Sequence, residues 1–283
     1  MDLSVIIVNY NAKYLLESCL FSVQKAIQSI SSEIIVVDNN STDGSKEWLP
    51  PKFAGIKFIF NHENIGFAKA CNQGYRISSG KYILFLNPDT ILPESCLSDC
   101  ISFFESHPDA GAVGVRMIDA KGNFLKESKR GFPTPAASFY KLFGLAKIFP
   151  GSKTFAKYYQ GHLPEKENKT VEVLSGAFII IKREVFEIVK GFDEVFFMYG
   201  EDIDLSIRIN QAGYKNYYLG TVSVIHLKGG STIHDRKHVE DFYDAMKLFV
   251  KKHYANRPVW YVFLLNTGIN VRKALASIAL LFR

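Results

Sequence analysis

The chain has 283 residues, 47% of them hydrophobic and 22% charged, which is ordinary for a globular protein with a large buried core. Thirty-four Lys and Arg against 28 Asp and Glu give a net charge of +6, and residues 236–283 carry the whole excess, with nine basic and three acidic side chains. This charge indicates an anionic surface as a partner of the tail, but without a nucleic-acid motif it does not support nucleic-acid binding. The opening "MDLSVIIVNYN" lacks the features of a signal peptide, and four cysteines without CxxC spacing predict free thiols in a reducing, cytoplasmic compartment.

Strand and helix patterns alternate through the first 118 residues. Helices are predicted at about residues 14–30, 66–78 and 93–106. The order of elements therefore predicts an α/β fold with a mostly parallel sheet and right-handed crossovers. Continuous apolar runs, typical of strands buried on both faces, are "LSVIIVNY", "EIIVVD", "IKFIF", "YILFL" and "AGAVGVRMI".

The pattern changes after residue 118. A hairpin turn is predicted at "DAKGNF", and residues 129–169 are rich in Gly, Pro, Lys and aromatic residues with little periodicity. Regular structure resumes at residues 170–194, with a strand and a short helix. Further helices are predicted at about 201–212 and 238–253, on either side of the strand pattern "YKNYYLGTVSVIHL".

The tail "PVWYVFLLNTGINVRKALASIALLFR" is apolar, but polar residues between positions 266 and 273 interrupt it. Neither apolar piece reaches the roughly 20 residues of a membrane-spanning helix. Trp260, Tyr261 and the flanking basic residues favour a helix that lies in the membrane interface. The alternative is a helix packed on the protein's own core or at a dimer contact.

Polar side chains follow three of the predicted strands. Because ligands collect at the carboxyl ends of parallel strands, these groups predict one shared pocket. Helix caps or turns would explain each group separately. Neither GxGxxG nor GxxxxGK[ST] occurs, so neither a Rossmann dinucleotide site nor a P-loop is indicated. The pocket should take a different nucleotide-like ligand. The three groups are Asn9-Tyr10-Asn11, Asp38-Asn39-Asn40-Ser41 and Asn87-Pro88-Asp89.

Two residues are candidates for holding a metal ion. Asp89 follows a strand, and a carboxylate there suits a hard divalent cation, although a capping role explains it equally well. His226 ends the strand pattern "VSVIH" shortly before a glycine pair, and imidazole is a metal ligand, although a lone histidine is usually structural.

The stretch "FMYGEDIDLSIR" places three carboxylates at a helix start. Asp204 precedes Arg208 by four residues, which predicts an ordinary helical ion pair. Glu201 and Asp202 fall in the first turn, where the helix dipole stabilises negative charge. The aromatic residues before them fit a sugar site or a core-packing loop.

Taken together, these motifs resemble the family-2 glycosyltransferases, in particular the bacterial rhamnosyltransferase-like branch. The resemblance implies a GT-A fold, with a nucleotide-binding half at residues 1–118, an acceptor-binding half at 119–235 and a basic helical segment at 236–283. The stretches that carry it, in the family's order, are "SVIIVNYN", "IIVVDNNSTDGS", "ENIGFAKACNQG", "YILFLNPDT", "LSGAFIIIKREVFEIVKGFDEVFFMYGEDIDLSIRINQAGY" and "VIHLKGGST".

The resemblance also implies a nucleotide-sugar site with Mg or Mn bridging the diphosphate. "NPD" stands where many relatives have DxD, which leaves Asp89 as the carboxylate ligand, with His226 as its partner. Asn39 stands where many relatives have Asp, in the loop that contacts the base. The segment "GGST" resembles a flexible loop near the diphosphate. The implied donor-binding residues are Asn9, Tyr10, Asp38, Asn39, Asn64, Gly66, Asn72, Asn87 and Asp89.

For the acceptor side, Asp202 matches the catalytic base of the family and Glu201 an acceptor contact. Gly176, Phe196 and Tyr199 are expected to line the same side. Asp202 would deprotonate an acceptor hydroxyl, which attacks the anomeric carbon opposite the nucleotide and inverts its configuration.

The implied activity is transfer of rhamnose from dTDP-rhamnose to a glycan or lipid-linked acceptor in surface polysaccharide synthesis, at the cytoplasmic face of the inner membrane. The same chemistry with another UDP- or dTDP-sugar, such as galactofuranose or glucose, is the first alternative. A non-catalytic sugar-nucleotide or membrane-binding module is the second.

Overall fold

The computed structural model describes residues 1–142, 144–227 and 236–280. Its strands are β1 (Leu3–Asn9), β2 (Ser32–Asp38), β3 (Lys57–Phe60), β4 (Tyr82–Leu86), β5 (Thr90–Ile91), β6 (Ala110–Ile118), β7 (Lys129–Arg130), β8 (Lys169–Val171), β9 (Val173–Leu174), β10 (Phe178–Lys182) and β11 (Lys215–His226). Its helices are α1 (Lys13–Ala26), α2 (Ser45–Trp48), α3 (Phe67–Arg76), α4 (Cys96–Ser106), α5 (Pro135–Leu142), α6 (Leu145–Ile148), α7 (Arg183–Ile188), α8 (Glu201–Gln211), α9 (Arg236–His253) and α10 (Val259–Leu280).

One large sheet forms the centre of the fold, in the order β3-β2-β1-β4-β10-β6-β11-β5, with β8 paired to β11. The first four of these strands are parallel, and β6 and β11 run parallel to each other. Strand β10 is inserted antiparallel between β4 and β6. The predicted α/β fold with a mostly parallel sheet is confirmed. What the sequence pattern did not indicate is that β10, from the second half of the chain, joins β4 to β6.

Helices cover both faces of this sheet. Along β1, Leu3, Val5 and Ile7 point into a core with α1 and α4, while Ile6 and Val8 point into a second core with α3, α7 and α8. Burial on both faces explains the unbroken apolar runs of the inner strands. All four cysteines are buried as free thiols in these cores, as predicted.

The region after β6 is irregular, as predicted. The hairpin turn is confirmed, since Asp119 N donates to Asn123 O and Ile118 bridges Phe124. Two short helices, α5 and α6, follow, and the pair β7–β9 forms a small separate sheet. The predicted "GGST" loop lies outside the described residues, and the division into domains stays a prediction.

The C-terminal segment forms the helix pair α9 and α10. The polar residues that interrupt the apolar stretch of the tail do not break the helix, because α10 runs continuously from Val259 to Leu280. A glycine costs a helix interior only about 1 kcal/mol, and packing against α9 offsets it, with Ile269 against Tyr243 and Val250. Among the described residues, no helix combines the length and apolar character needed to cross a membrane.

Candidate active site

The first two polar groups meet at the carboxyl ends of β1 and β2. Asn9 and Asp38 pair in register, and Asn9 Nδ2 donates to Asp38 Oδ2 at 2.6 Å. Asp38 Oδ1 also accepts from Ser41 N at 2.8 Å, so this carboxylate organises its own loop as the turn interpretation predicts. Tyr10, 45% exposed, lies at the rim. The sheet therefore brings these residues to one edge, as expected.

A second loop, residues 64–67, is tied to this edge. Asn39 Nδ2 donates to Gly66 O at 3.2 Å, and Gly66 N donates to Asn64 Oδ1 at 3.0 Å. Gly66 has φ +86°, and a Cβ built on it would lie 2.6 Å from Phe197 O. A side chain at position 66 would therefore separate this loop from the segment that leads into α8.

Asn72 has a role inside the protein. Its Nδ2 donates to Phe192 O at 2.9 Å and to Glu194 Oε1 at 3.0 Å, and its Oδ1 accepts from Phe192 N at 3.0 Å. Both amide hydrogens are thus engaged, and Asn72 is buried. These bonds hold the loop after α7 against α3. A direct contact of Asn72 with a nucleotide sugar stays a prediction.

Asp89 and His226 face each other across the pair β5–β11. His226 Nε2 lies 3.2 Å from Asp89 Oδ1, and both side chains are largely buried. Leu227 N donates to Asp89 O at 2.8 Å, which holds the two segments together. Asn87, just before, is held by its N–H donating to Ala177 O at 3.0 Å.

This pair fits a divalent cation that is bound partly by the protein and partly by a substrate. A carboxylate oxygen and an imidazole nitrogen already converge, and His226 Nδ1 is buried without a hydrogen bond from any described residue. Over the described part of the chain, no group of three or more His, Cys, Asp or Glu is arranged to hold a metal. A cation held by this pair would take diphosphate or water oxygens as further ligands.

Asp202 is held by donors from three segments. Arg130 Nη2 forms an ion pair with Asp202 Oδ2, and Gly176 N donates to the same oxygen at 2.9 Å. Ile203 N lies 2.8 Å from Oδ1. Arg130 Nη2 also donates to Leu174 O at 2.7 Å. Burial acts to lower the pKa of Arg130, but the Asp202 charge outweighs it and raises that pKa.

Glu201, the neighbouring acid, has a different environment. Its side chain is buried, and Oε2 has no hydrogen-bond partner within the described ranges. Burial raises the pKa of Glu201 to about 8, and the charge of Asp202 adds to this effect. Burial and the neighbouring Asp202 charge therefore favour the protonated form of Glu201.

The aromatic loop before α8 is partly core and partly surface. Phe196 is 1% exposed and packs beneath Gly200, where a Cβ would lie 3.2 Å from its ring. Tyr199 has φ +68°, a strained conformation for a tyrosine, and its hydroxyl lies 2.8 Å from His238 Nδ1 on α9. Phe197 is 37% exposed. The core-packing interpretation therefore holds for Phe196, and Tyr199 connects the loop to α9.

Asp204 forms the predicted pair with Arg208 at 2.8 Å, but the pair is part of a larger network. Lys252 Nζ and His253 Nε2 lie 2.6 and 2.8 Å from Asp204 Oδ1, which is fully buried. Burial acts to raise the pKa of Asp204, but hydrogen bonds from His253 and Lys252, with Arg208, outweigh it and lower the pKa to about 2. This network fixes α9 to α8 beside the acid pair.

A sequence model described as Glycosyl transferase family 2 matches residues 4–189, well over half of the chain. The chain belongs to glycosyl transferase family 2. It is a glycosyltransferase, and an inverting mechanism is typical of the family. Asp202 and Glu201 lie beyond the matched residues, so their roles depend on the geometry described above.

Two relatives of this family 2 glycosyltransferase are rhamnosyltransferases. The N-acetylglucosaminyl-diphospho-decaprenol L-rhamnosyltransferase of Mycobacterium tuberculosis is 27% identical over 244 residues, which cover 82% of this chain and 78% of that protein. Rhamnosyltransferase WbbL of Escherichia coli (strain K12) is 28% identical over 218 residues, which cover 72% of this chain and 78% of that protein.

Solved structures show the same fold. Mannosyltransferase PcManGT from Pyrobaculum calidifontis, in complex with GDP-Man and Mn²⁺, superposes with a TM-score of 0.61 at 18% identity, covering 97% of this chain and 71% of that one. The predicted GT-A fold is confirmed.

Proposed function

We propose that the chain transfers rhamnose from dTDP-rhamnose to a hydroxyl of a lipid-linked glycan, with inversion at the anomeric carbon. The observation that carries the donor sugar is the similarity, over most of the chain, to two rhamnosyltransferases. By its name, the mycobacterial relative acts on a sugar linked through diphosphate to decaprenol. A polyprenyl-diphosphate-linked sugar is the acceptor class that we propose for this chain, in surface polysaccharide synthesis.

The geometry supports a site with a donor-binding side and an acceptor-binding side. We assign the donor to the strand ends and loops that carry Asn9, Asp38, Asn39 and residues 64–67, with Tyr10 at the rim and Asn87 near the diphosphate. The acceptor faces Glu201 and Asp202, with Gly176, Phe196 and Tyr199 supporting that side. Asp202 takes the proton of the acceptor hydroxyl as general base. The buried Oε2 of Glu201, to which no described residue donates a hydrogen bond, supports its role as an acceptor contact.

A screen of nucleotide sugars tests the proposal. We expect dTDP-rhamnose with Mn or Mg to raise the melting temperature by several degrees, because a ligand at about 100 times its Kd adds about 2.7 kcal/mol to the stability of the native state. Transfer is then measured with labelled dTDP-rhamnose and a polyprenyl-diphosphate-linked sugar. If UDP-galactofuranose or a glucose nucleotide raises the melting temperature more, and that sugar is transferred, then that nucleotide sugar is the donor instead of dTDP-rhamnose. Binding without release of nucleoside diphosphate would indicate a non-catalytic module instead.

We further propose that Asp89 and His226 hold Mg or Mn when the donor is bound. A divalent cation there would neutralise the diphosphate leaving group. In this chain, Asp89 supplies the carboxylate, and the pairing of β5 with β11 keeps His226 beside it.

Replacing Asp89 should weaken metal-dependent binding. We expect Asp89→Ala to reduce the affinity for dTDP-rhamnose in Mn by about 10- to 100-fold, the usual range for disturbing a metal site. Affinity without metal should change little. Calorimetric titration with and without Mn checks this, with Asp99→Asn on helix α4 as the control. Equal loss in both conditions would contradict a metal role for Asp89.

We also propose that α10 lies on the cytoplasmic face of the inner membrane as a peripheral contact. Basic residues Arg257, Arg272 and Lys273 accompany its apolar side chains, which suits an anionic bilayer surface. Packing on α9 occupies only one side of the helix, around Ile269. Apolar side chains that remain more than half exposed on α10 are Val259, Trp260, Phe263, Leu264, Val271, Leu275 and Ile278.

Removing two of these side chains should release the protein from vesicles. We expect Phe263→Ser with Leu264→Ser to weaken binding to phosphatidylglycerol vesicles on the order of tenfold or more, because each side chain would lose its burial in the interface. Co-sedimentation measures this, with the exposed Ile188 on α7 replaced by Ser as control. If the double variant still binds vesicles but loses a dimer in light scattering, α10 is a contact between copies rather than a membrane contact.

A further inference from the structure

Arg130 makes a contact with the acid pair that no sequence motif indicated. It lies 72 residues before Asp202 and reaches it from β7, which pairs with β9 through Lys129↔Leu174 and Arg130↔Val173. Its Nη2 group donates both to Leu174 O and to Asp202 Oδ2. Only about 13% of each of the two charged side chains is exposed, so water screens their attraction far less than at the surface.

The hydrogen bonds distinguish the two oxygens of Asp202. Oδ2 accepts from Arg130 and from Gly176 N, which uses both of its lone pairs. Oδ1 accepts from Ile203 N, and within the described ranges it keeps one lone pair. The carboxylate is therefore held at one oxygen and available at the other.

We propose that Arg130 is a positioning residue for the transfer reaction: together with Gly176 it fixes Asp202 through Oδ2, so that Oδ1 is the atom that takes the proton. This inference rests on the proposed function. In the step, the acceptor O–H bond breaks and its proton moves to Oδ1. The acceptor oxygen forms a bond to the anomeric carbon, and the bond from that carbon to the diphosphate oxygen breaks. The nucleoside diphosphate leaves with the electron pair.

Other charged groups near the pair do not replace Arg130. Glu201, adjacent on α8, is buried in surroundings that favour its protonated form, and Asp204 is neutralised by its own partners on α8 and α9. Tyr158, from the irregular region, hydrogen-bonds to Arg130 and is itself uncharged or anionic, so it is no substitute for the guanidinium. Arg130 is thus the cation that the described residues place against Asp202.

Replacing Arg130 should lower turnover without weakening donor binding. We expect Arg130→Ala to reduce kcat about 100-fold, which is the loss of rate that a misplacement of about 1 Å causes. The KM for the donor should change less than threefold. Arg130→Lys should recover part of the loss, since one donor is restored. Guanidinium chloride at low millimolar concentration should restore at least tenfold of the Arg130→Ala activity. A merely structural arginine would not respond to added guanidinium in this way.

Arg183 provides the matched control. It is also partly buried and donates to Gly80 O at 2.7 Å and to Ser78 Oγ at 2.9 Å, near the opposite edge of the sheet. We expect Arg183→Ala to keep the wild-type kcat, whatever it does to the melting temperature. Wild-type-like kcat in Arg130→Ala, or a loss that neither Lys nor guanidinium restores, overturns the inference.

A second measurement separates this inference from the proposed function. A double-mutant cycle of Arg130→Ala and Asp202→Asn in the free energy of unfolding needs no substrate. A coupling clearly different from zero is expected, and additivity overturns the inference. If the wild-type protein transfers no sugar while the coupling is present, the proposed donor or acceptor fails and the contact stands.

Discussion

Asp202→Asn should abolish sugar transfer while leaving the nucleotide site intact. We expect kcat to fall about 10³- to 10⁴-fold, the upper range for loss of a general base, because an amide has no basic lone pair to take the hydroxyl proton. The Kd for dTDP-rhamnose should change less than twofold, since Asp202 lies on the acceptor side, on α8. Single-turnover transfer assays and calorimetric titration measure the two quantities.

Asp99→Asn is the matched control for this variant. Asp99 is also an aspartate in the first turn of a helix, α4, and its carboxylate accepts from Ser95 Oγ at 2.9 Å. Its replacement should leave kcat unchanged. Retained turnover in Asp202→Asn would refute the assignment of the base, and it would leave Glu201 as the next acid to test.

Asp204→Asn should give the largest loss of stability among these variants. The carboxylate is fully buried and contacts Arg208, Lys252 and His253. Its removal takes away the counter-charge of the largely buried Arg208, while Lys252 keeps its pair with Asp193. We expect the free energy of unfolding at pH 7 to fall by about 3 kcal/mol, as for other broken buried pairs. Urea denaturation followed by circular dichroism measures it.

The direction in which the stability changes with pH also identifies the Asp204 carboxylate. The pKa of Asp204 is lowered to about 2 from an ordinary value of 3.8, so its contribution is present above pH 4 and is lost as the pH falls toward 2. The difference between wild type and Asp204→Asn should therefore shrink between about pH 4 and pH 2. Asp244→Asn, which removes an exposed pair with Lys273, should change stability by at most about 0.5 kcal/mol at any pH. A difference independent of pH would contradict the role of the Asp204 charge.

The candidate site was predictable where its signals are local. The strand ends at Asn9, Asp38 and Asp89 follow apolar runs, and parallel strands bring their carboxyl ends to one edge. The pairing of β5 with β11 brings His226 to Asp89. The two residues are far apart in the chain, and hydrophobic periodicity does not predict which distant strands pair. The same applies to Asn72, whose bonds to the loop after α7 no local pattern indicates.

In the C-terminal segment, composition did not predict how far the helix extends. Polar residues divide the apolar stretch of the tail, and among the described residues no helix could span a membrane, as predicted. Packing against α9 carries α10 through these polar residues as one helix. The pair Asp204–Arg208 was predicted from its spacing, because four residues make one turn of a helix. Lys252 and His253 join the pair from α9, and no spacing rule reaches across that distance.

The sequence by itself determined the α/β order and the acid pair at the start of α8, because apolar periodicity and helix-start chemistry act over a few residues. The family follows from the motifs of the sequence and from the match over residues 4–189. Only the tertiary structure decided that Glu201 is buried, which favours its protonated form, while Asp202 meets Arg130. The physical reason is that burial and charge pairing depend on segments far apart in the chain. In the sequence, Lys129 and Arg130 are a basic pair before a glycine, without a motif. In the structure, β7 pairs with β9 and the Arg130 guanidinium contacts Asp202.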